Sequence, residues 1–455
     1  FELVEDFLPL QDKSYNEDWI KTWSTKWMID KDDLLRLRNH FGEKIAYYFA
    51  FLQFYFTWLI IPSIAGLVTH FSGAKYSIPF SIFITLWSVI FVEFWRRKEY
   101  ELAVEWGVRH FSRVERRRPE FRAECFIKNP ITGEEVPYFS PWKRWLRRAV
   151  VAPVILIFSL TLSLSLLFYI MIEVIMSEYY SGPFRDQLKV GPERLVHELK
   201  YFILTAQILN LFMELVLPYL FRFGSFSMKR IKNNGATKDG GRNEDESAFL
   251  KRVRKEVKLP VYEIYTDYAE MITQYGYVSL FSSIWPLTPV FAFVNNWVEL
   301  RSDAIKLCEH TRRPIPKRAD SIGPWLENLV ILTWFSSITN PSLIYLYHPE
   351  THAFKSPFSV VFVIALIWFT EHIFNMIHYL IKQMLAALPN AASEIVQKEE
   401  YEVKKRLLEK AGLEKIGISL ETSSNLGHEY EESMKKREDS EWFWHSDHVA
   451  TVEEA

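Results

Sequence analysis

Cysteine is nearly absent from this chain, which has only Cys125 and Cys308 among its 455 residues. Two cysteines exclude a disulfide framework and a cysteine-based zinc site. An excess of basic residues is also lacking, since the formal net charge is −2. Bulk electrostatics therefore exclude a strongly basic nucleic-acid-binding protein. The sequence has no nucleotide-binding loop and no acid–base or nucleophile constellation, so neither a nucleotide ligand nor a conventional enzyme is expected.

Long uncharged runs are abundant, and they indicate membrane spans. A helix needs about 20 mostly apolar residues to cross the hydrocarbon core. Two of the runs are interrupted by single acids, Glu214 and Glu371. We therefore predict an all-α, polytopic transmembrane helical bundle. The runs are Ile45–Thr69, Tyr76–Val92, Ala149–Ile172, Tyr201–Phe221, Met271–Val298, Asn328–Tyr347 and Ser356–Ile381.

Basic residues that flank the spans predict the orientation. Clusters such as Arg96–Lys98 and Arg312–Arg318 all fall on one side if the amino terminus is cytosolic. We expect a cytosolic amino-terminal segment, a transmembrane domain with a cytosolic linker, and cytosolic carboxy-terminal helices with a tail. No signal-peptide pattern begins at Phe1, and the chain reads as though it starts mid-protein. The predicted boundaries are 1–44, 45–388 with the linker at about 229–260, and 389–455.

The run Met271–Val298 is too short for two complete spans and long for one. Its centre, Trp285-Pro-Leu-Thr-Pro289, is a poor helix interior and a good turn. A helical hairpin with its tip there gives each arm about 14 residues, or about 21 Å. Glu270 and Glu299 then stand just beyond the two arms, at matching depth inside the membrane.

Each of these acids has a polar companion on its own helix face. Asp267 and Glu270 are spaced i, i+3, whereas Glu299 and Asp303 are spaced i, i+4. Asn210 and Glu214, on the preceding span, are also spaced i, i+4. These spacings place each pair on one side of a helix. Three helices can therefore direct five carboxylates and one amide at a common point.

Several buried acids together require a cation. One Asp at mid-membrane costs about 2.5–3.5 kcal/mol on insertion scales, and mutual repulsion adds to that cost. Arg301 points away from the acids' face, and Lys306 lies toward the cytosolic end. Calcium, which takes six to eight oxygen ligands, suits such a set. No histidine or cysteine lies among these residues, which argues against zinc or copper.

Simpler roles for individual acids compete with this interpretation. Asp267 and Asp303 could contact headgroups at the rim, and Glu299 could pair with Arg301 across a bend. For Glu93 a rim salt bridge with Arg96 or Arg97 is favoured. Glu371 and His372 could line either a dimer interface or a second ion site, and the sequence does not favour one of these roles.

The polar motifs resemble those of the anoctamin family, the calcium-activated phospholipid scramblases and chloride channels. The similarity runs from about Phe41 to Val403, with the fungal scramblases most alike. The motif set is specific because it spans three helices in order. The matching segments are Asn210-Leu-Phe-Met-Glu214 with Pro218, Asp267-Tyr-Ala-Glu270-Met-Ile-Thr-Gln-Tyr-Gly, Pro286-Leu-Thr-Pro289, and Asn295-Asn-Trp-Val-Glu299-Leu-Arg-Ser-Asp303-Ala.

The resemblance implies a calcium site, a homodimer and a lipid pathway. Two calcium ions per subunit would be bound by Glu214, Asp267, Glu270, Glu299 and Asp303, with an amide oxygen from Asn210. Calcium would hold the Asn210–Glu214 helix against the hairpin and reshape a polar groove along which phospholipid headgroups slide. No ATP is implied. The home membrane would be the plasma membrane or the endoplasmic reticulum.

One departure from the family pattern lies between Ile172 and Lys200. Anoctamins have ten spans, but about eight are visible here, because the polar stretch Ser177–Glu198 replaces the fourth and fifth helices. Either this sequence lacks a segment that the protein has, or the protein has no groove of the family type. The match elsewhere favours the first explanation.

Three functions follow from these features. A calcium-activated scramblase, with or without accompanying ion conduction, leads; a calcium-gated anion channel using the same ion site is the nearest alternative. A membrane tether acting through the charged tail is a third, but the frequent acids from Glu399 onward give little support for docking on anionic lipid.

Overall fold

The computed structural model describes residues 9–73, 76–114, 124–128, 135–140, 244–347, 358–388 and 391–410, with single positions at 142, 143, 146, 201 and 209. The chain divides into two compact units. The first comprises Phe1–Val114 and Gly191–Ser393, and the second comprises Glu115–Val190 and Glu394–Ala455. The predicted spans Ala149–Ile172 and Tyr201–Phe221 lie almost wholly outside the described residues, as does the tail after residue 410.

Helices dominate the described residues, as predicted. In chain order they are α1 (Lys13–Thr25), α2 (Lys31–Phe41), α3 (Glu43–Trp58), α4 (Ile60–Phe71), α5 (Ile78–Glu105), α6 (Phe111–Val114), α7 (Glu244–Glu256), α8 (Ile264–Phe281), α9 (Thr288–Ile305), a π-helix (Lys306–His310), α10 (Pro324–Tyr347), α11 (Phe358–Ala387) and α12 (Ala391–Lys410).

A small antiparallel sheet in the second unit corrects the all-α prediction. Strands β1 (Cys125–Lys128) and β2 (Glu135–Tyr138) pair with Cys125 opposite Tyr138 and Lys128 opposite Glu135. Phe126, Ile127 and Val136 are residue types that favour strands. The sequence between the strands contains Pro130 and Gly133, which are typical of turns. Two four-residue strands are too short to produce the apolar periodicity on which the prediction relied.

Three described helices are long and apolar enough to cross a membrane: Glu43–Phe71, Ile78–Glu105 and Ile364–Ala387. They coincide with the predicted spans at Ile45–Thr69, Tyr76–Val92 and Ser356–Ile381. The predicted span Asn328–Tyr347 lies within the 24-residue helix α10.

The first span comprises α3 and α4 and contains Pro62 near the start of α4. Proline cannot donate to the carbonyl four residues earlier, which here belongs to Trp58. The indole Nε1 of Trp87 on α5 donates to that oxygen at 3.1 Å. A side chain from the second span thus satisfies a backbone group that water cannot reach in the membrane.

The predicted helical hairpin forms from α8 and α9, with Ser282–Leu287 as its tip. Each helix has 18 residues, which is longer than the 14 predicted, because helical geometry continues through the acids instead of stopping before them. At 1.5 Å per residue each arm spans about 27 Å, close to the thickness of the hydrocarbon core. The Thr288 hydroxyl donates to the carbonyl of Trp285 at 2.7 Å and closes the tip.

Buried polar contacts tie the hairpin to neighbouring spans. The Tyr275 hydroxyl lies 2.6 Å from the Thr333 hydroxyl on α10 and donates to the Ser88 carbonyl on α5 at 3.3 Å. Asn340 on α10 donates to the Ser279 carbonyl at 2.9 Å. Helices in lipid lack a hydrophobic drive to associate, so such hydrogen bonds and close packing hold them together.

The amino-terminal helices pack against the first unit's core instead of extending away from it. Trp19 and Trp23 of α1 are almost fully buried. The Trp23 indole donates to the Leu300 carbonyl of α9 at 2.9 Å. Ahead of α1, the Gln11 amide donates to the carbonyls of Leu307 and Thr311 at 2.9 and 3.1 Å.

Gly66 is required where α4 meets the hairpin tip, because a Cβ there would overlap the backbone carbonyl of Pro286. We expect Gly66→Ala to destabilise the protein by about 1–3 kcal/mol, the usual cost of overpacking. Gly276→Ala is the matched control, since its Cβ would meet only Leu332 methyl groups at 3.6 Å. Thermal unfolding in detergent measures both variants, and equal melting temperatures would contradict the assignment.

His40 makes stability depend on pH. Its ring stacks on Tyr15 at 3.7 Å, and burial, together with nearby Arg313, lowers the pKa of His40 to about 4. The unfolded chain therefore binds a proton first, so stability is lost as the pH falls from about 6.5 towards 4. We expect His40→Phe, which keeps the stack, to flatten this part of the melting-temperature profile. An unchanged slope would argue against His40.

Candidate metal centre

Helix α8 presents a polar face made of Asp267, Glu270 and Gln274. The spacings of three and four residues bring these side chains to one side of the helix. Asp267 is 3% exposed and Gln274 is 2% exposed, while Glu270 is half-buried. Asp267 lies in the first turn of α8, where the helix dipole favours a negative charge.

Helix α9 presents a second polar face made of Asn296, Glu299 and Asp303. All three side chains are buried, at 0%, 4% and 0% exposure respectively. The two arms have equal lengths and run antiparallel from one tip. Hairpin geometry therefore pairs residues of the two faces at matching depths: Asp267 with Asp303, Glu270 with Glu299, and Gln274 with Asn296.

Asp267 is held by two donors. The Tyr262 hydroxyl donates to its Oδ2 at 2.7 Å, and Lys306 Nζ donates to its Oδ1 at 2.7 Å. Burial raises the pKa of Tyr262 well above its usual range, so the hydroxyl keeps the proton that it donates. A charge-assisted hydrogen bond between groups this buried is stronger than a neutral one.

Lys306 follows α9 at the end away from the hairpin tip, where it pairs with an acid, a contact that the sequence interpretation did not include. Lys306 follows Asp303 by three residues and Glu299 by seven, so it shares their face. Its side chain is only 16% exposed, and it forms an ion pair with Asp267. The spacing indicates this shared face, and the long lysine side chain lets the ammonium group reach back to Asp267.

Arg301 points away from the acids, as predicted. Its guanidinium donates to the carbonyls of Trp297 and Lys26 at 2.6 and 3.0 Å. The same group lies over the Trp297 ring, 4.0 Å from its centroid. The simpler hypothesis that Glu299 pairs with Arg301 is therefore not supported by the contacts of Arg301.

Asp303 accepts a short hydrogen bond at Oδ2 from the Tyr48 hydroxyl of α3. Tyr48 is fully buried, which places Asp303 deep in the unit and not at a headgroup rim. The burial of Asp303 among protein groups argues against a simple headgroup contact at the rim. The same conclusion applies to Asp267, whose two donors are also largely buried.

Two buried amides were missed by the site prediction. In the part of the chain that the structure describes, both polar atoms of Gln274 and of Asn296 lack a hydrogen-bond partner. An unpartnered buried amide costs about 1–3 kcal/mol, so such groups commonly meet a ligand or water. Spacing could have identified them, because each lies one helical turn from a predicted acid.

The π-helix that carries Lys306 is braced from the amino-terminal segment. Gln11 and Asn16 donate to the carbonyls of Leu307, Cys308 and Thr311 at 2.9–3.1 Å. A π-turn leaves carbonyls without the regular α-helical partner, and these amides supply one. Burial raises the pKa of the Cys308 thiol well above its usual range, which keeps it protonated and unreactive.

The other acids considered from the sequence have local partners. Glu93 lies 3.1 Å from Arg96 and 3.0 Å from His378 of α11, so it joins α5 to α11 and forms the expected salt bridge with Arg96. Glu371 pairs with His372 at 3.0 Å and accepts a hydrogen bond from Asn375 at 2.6 Å.

The described residues supply the type of donor atom that calcium prefers, but too few of them lie together to hold an ion. Their donors are carboxylate and amide oxygens, which a hard divalent cation prefers. Within the described ranges, however, no three histidine, cysteine, aspartate or glutamate side chains form a group that could hold a metal ion. Asn210 and Glu214, the predicted ligands from a third helix, lie outside the described residues. Two of the three predicted faces are therefore described, as the arms of one hairpin.

The fold and this hairpin define a multi-span helical membrane protein with buried acids between its spans. Residues 37–192 and 185–399 match the family model described as Anoctamin: Calcium-activated chloride channel. The chain belongs to the anoctamin family.

Individual relatives agree with this assignment. Anoctamin-10 of Mus musculus is 28% identical over 509 residues, covering 95% of this chain and 75% of that protein. An uncharacterised protein of Schizosaccharomyces pombe is 23% identical over 480 residues, covering 84% and 71% respectively. Anoctamin-7 of Rattus norvegicus is 25% identical, covering 68% of this chain and 52% of that protein.

The comparisons also bear on the fourth and fifth helices expected from the family resemblance. The aligned lengths of 509 and 480 residues exceed the 455 residues of this chain, so both relatives carry residues that have no counterpart here. The two stretches that match the family model meet at 185–192. That junction falls within the polar stretch Ser177–Glu198, where the span count is short of ten.

We expect Lys306→Met to destabilise the calcium-free protein by about 3–5 kcal/mol, because a buried Asp267 loses its cation. Saturating calcium should recover more of the melting temperature in this variant than in the unmodified protein. Arg301→Met, which also removes one positive charge near the site, is the control. Thermal unfolding with calcium and with a chelator measures both, and identical calcium effects in the two variants would contradict the role given to Lys306.

Proposed function

We propose that this protein is a calcium-activated phospholipid scramblase, which moves lipids passively between leaflets without ATP. The observation that carries the proposal is the pair of buried acid faces on α8 and α9. A membrane protein gains no stability from such faces, since acids in low dielectric are costly unless a cation neutralises them. Membership of a family described as calcium-activated supports calcium as that cation.

The ion-binding residues in this proposal are Asp267, Glu270, Glu299 and Asp303 from the hairpin, with Asn210 and Glu214 from the preceding span. Calcium would supply positive charge and be coordinated by the side-chain oxygen atoms of these residues. The family resemblance implies two ions per subunit. Their four positive charges would oppose five carboxylates, which is close to neutrality.

Residues of the chain would allow a metal ion to replace Lys306 as the partner of Asp267. Lys306 supplies one positive charge at Asp267 Oδ1, so a metal ion at this oxygen would displace the ammonium group or share the carboxylate with it. Tyr262 and Tyr48 keep the two aspartates in place during that exchange, since each donates to one carboxylate oxygen only. The helix of Asn210 and Glu214 would then be drawn toward the hairpin and reshape a polar groove for headgroups.

A calcium-gated chloride channel is the second candidate, and the description of the matching family model favours it. Both functions use the same ion site. The scramblase proposal takes precedence because the motifs resemble those of the fungal scramblases most. The helices expected to form the groove lie outside the described residues, so transport assays distinguish the two functions.

We also infer that the protein is a homodimer, from the polar centre of α11. His372 lies midway along this span with its side chain 57% exposed, beside Glu371 and Asn375. Polar side chains facing lipid at mid-membrane are costly. A second copy covering this part of α11 would remove that cost.

The double substitution Asp267→Ala/Glu270→Ala is expected to abolish calcium activation, because it removes the acid face of α8. Proteoliposomes with quenchable fluorescent lipids measure lipid exchange, and an anion-flux assay runs in parallel. The control Glu263→Ala/Glu327→Ala removes two exposed acids and should retain activation.

Three outcomes separate the proposals. Calcium-dependent lipid exchange that disappears only in the Asp267/Glu270 variant supports the scramblase. Calcium-dependent anion flux without lipid exchange would reject the scramblase and favour the channel. Unchanged calcium sensitivity in that variant would refute the ion site itself.

A further inference from the structure

A cavity of about 230 Å³ lies where three membrane-entering segments of the first unit meet. Lys44 stands in the first turn of α3, and Ile264 begins α8. The third segment, Arg312–Lys317, leads toward α10. The backbone N–H of Lys44 donates to the carbonyl of Lys317 at 3.1 Å, which fixes two of these segments together.

Four cationic side chains line this cavity, and the described residues that line it include no aspartate or glutamate. None of the four has an ion pair within the described chain. They are Lys44, Arg312, Arg313 and Lys317.

The contacts of these cations leave their charge uncompensated. Arg312 donates to the carbonyls of Leu259 and Val257, and Arg313 donates to those of Leu10 and His40. Carbonyl oxygens orient a guanidinium group but carry no formal charge. Lys44 lies 4.9 Å from the centroid of the Tyr265 ring, which also leaves its charge intact. Four like charges around one small cavity favour an anion between them.

Apolar side chains at the same cavity point to a lipid. Val261 and Ile315 line it and are 65% and 53% exposed, whereas Phe41 and Ile45 form its buried floor. Apolar side chains exposed beside lysines and arginines are typical of surfaces at the depth of lipid headgroups. A soluble anion would need the charges but not this exposed apolar rim.

We propose that this basic cavity binds the headgroup phosphate of an anionic phospholipid from the leaflet at which α3 and α8 begin. Val261 and Ile315 contact the glycerol and upper acyl region, and the four cations surround the phosphate. The site is distinct from the acid faces of the hairpin. It does not depend on whether the protein transports lipids or chloride.

The test uses the purified full chain in detergent. Dioctanoyl phosphatidylserine, dioctanoyl phosphatidylcholine and inorganic phosphate are each titrated, and thermal stability is the readout. Lys44→Gln/Lys317→Gln is the variant, because neither side chain makes a hydrogen bond within the part of the chain that the structure describes. Lys13→Gln/Lys251→Gln, which removes two exposed lysines away from the cavity, is the control.

We expect saturable stabilisation by the serine lipid, weakened about thirtyfold in the Lys44/Lys317 variant at roughly 1 kcal/mol per lysine. The control should bind as the unmodified chain does. Equal stabilisation by the choline lipid, or equal binding by variant and control, would overturn the proposal. Stabilisation by inorganic phosphate without a response to the serine lipid would also overturn it, by showing a soluble anion site.

Discussion

Carboxylates that a helical hairpin carries into a low-dielectric interior need a positive or hydrogen-bonding partner, and much of the described architecture supplies one. The partners of Asp267 and Asp303 come from three separate segments. Tyr48 comes from the first span, Tyr262 from the residues before α8, and Lys306 from the π-helix. The hydrogen bonds and the ion pair of these two aspartates therefore hold the hairpin against the first span and fix the end of α9. The same need for a positive partner is the reason for proposing a cation at the hairpin.

Local sequence patterns predicted the spans and the hairpin of this protein. The uncharged runs predicted the described spans, and the segment Trp285–Pro289 predicted a hairpin whose observed tip, Ser282–Leu287, overlaps that segment. The acids at 267, 299 and 303 were expected to be buried, and they are. These predictions succeeded because a span needs length and low charge, and a proline-rich centre cannot continue a helix; both properties are local in the sequence.

Features that depend on contacts between distant segments were not predictable in the same way. The Lys306–Asp267 ion pair joins positions 39 residues apart, and the bond from Trp87 to the Trp58 carbonyl depends on how two spans cross. The β1–β2 pair was missed because four-residue strands carry little periodicity. The orphaned amides Gln274 and Asn296 could be placed on the acid faces by spacing alone, yet their lack of partners appears only in three dimensions.

Tyr262 contacts both the basic cavity and the acid face of the hairpin. Tyr262 lines the basic cavity, while its hydroxyl donates to Asp267 on the hairpin. Thermodynamic linkage is reciprocal. A ligand in the cavity that shifts Tyr262 would change the affinity of the hairpin for a cation, and a cation would change the affinity of the cavity for the ligand by the same factor. If a lipid occupies the basic cavity as proposed, Tyr262 would couple the lipid composition of one leaflet to the binding of a cation at the hairpin.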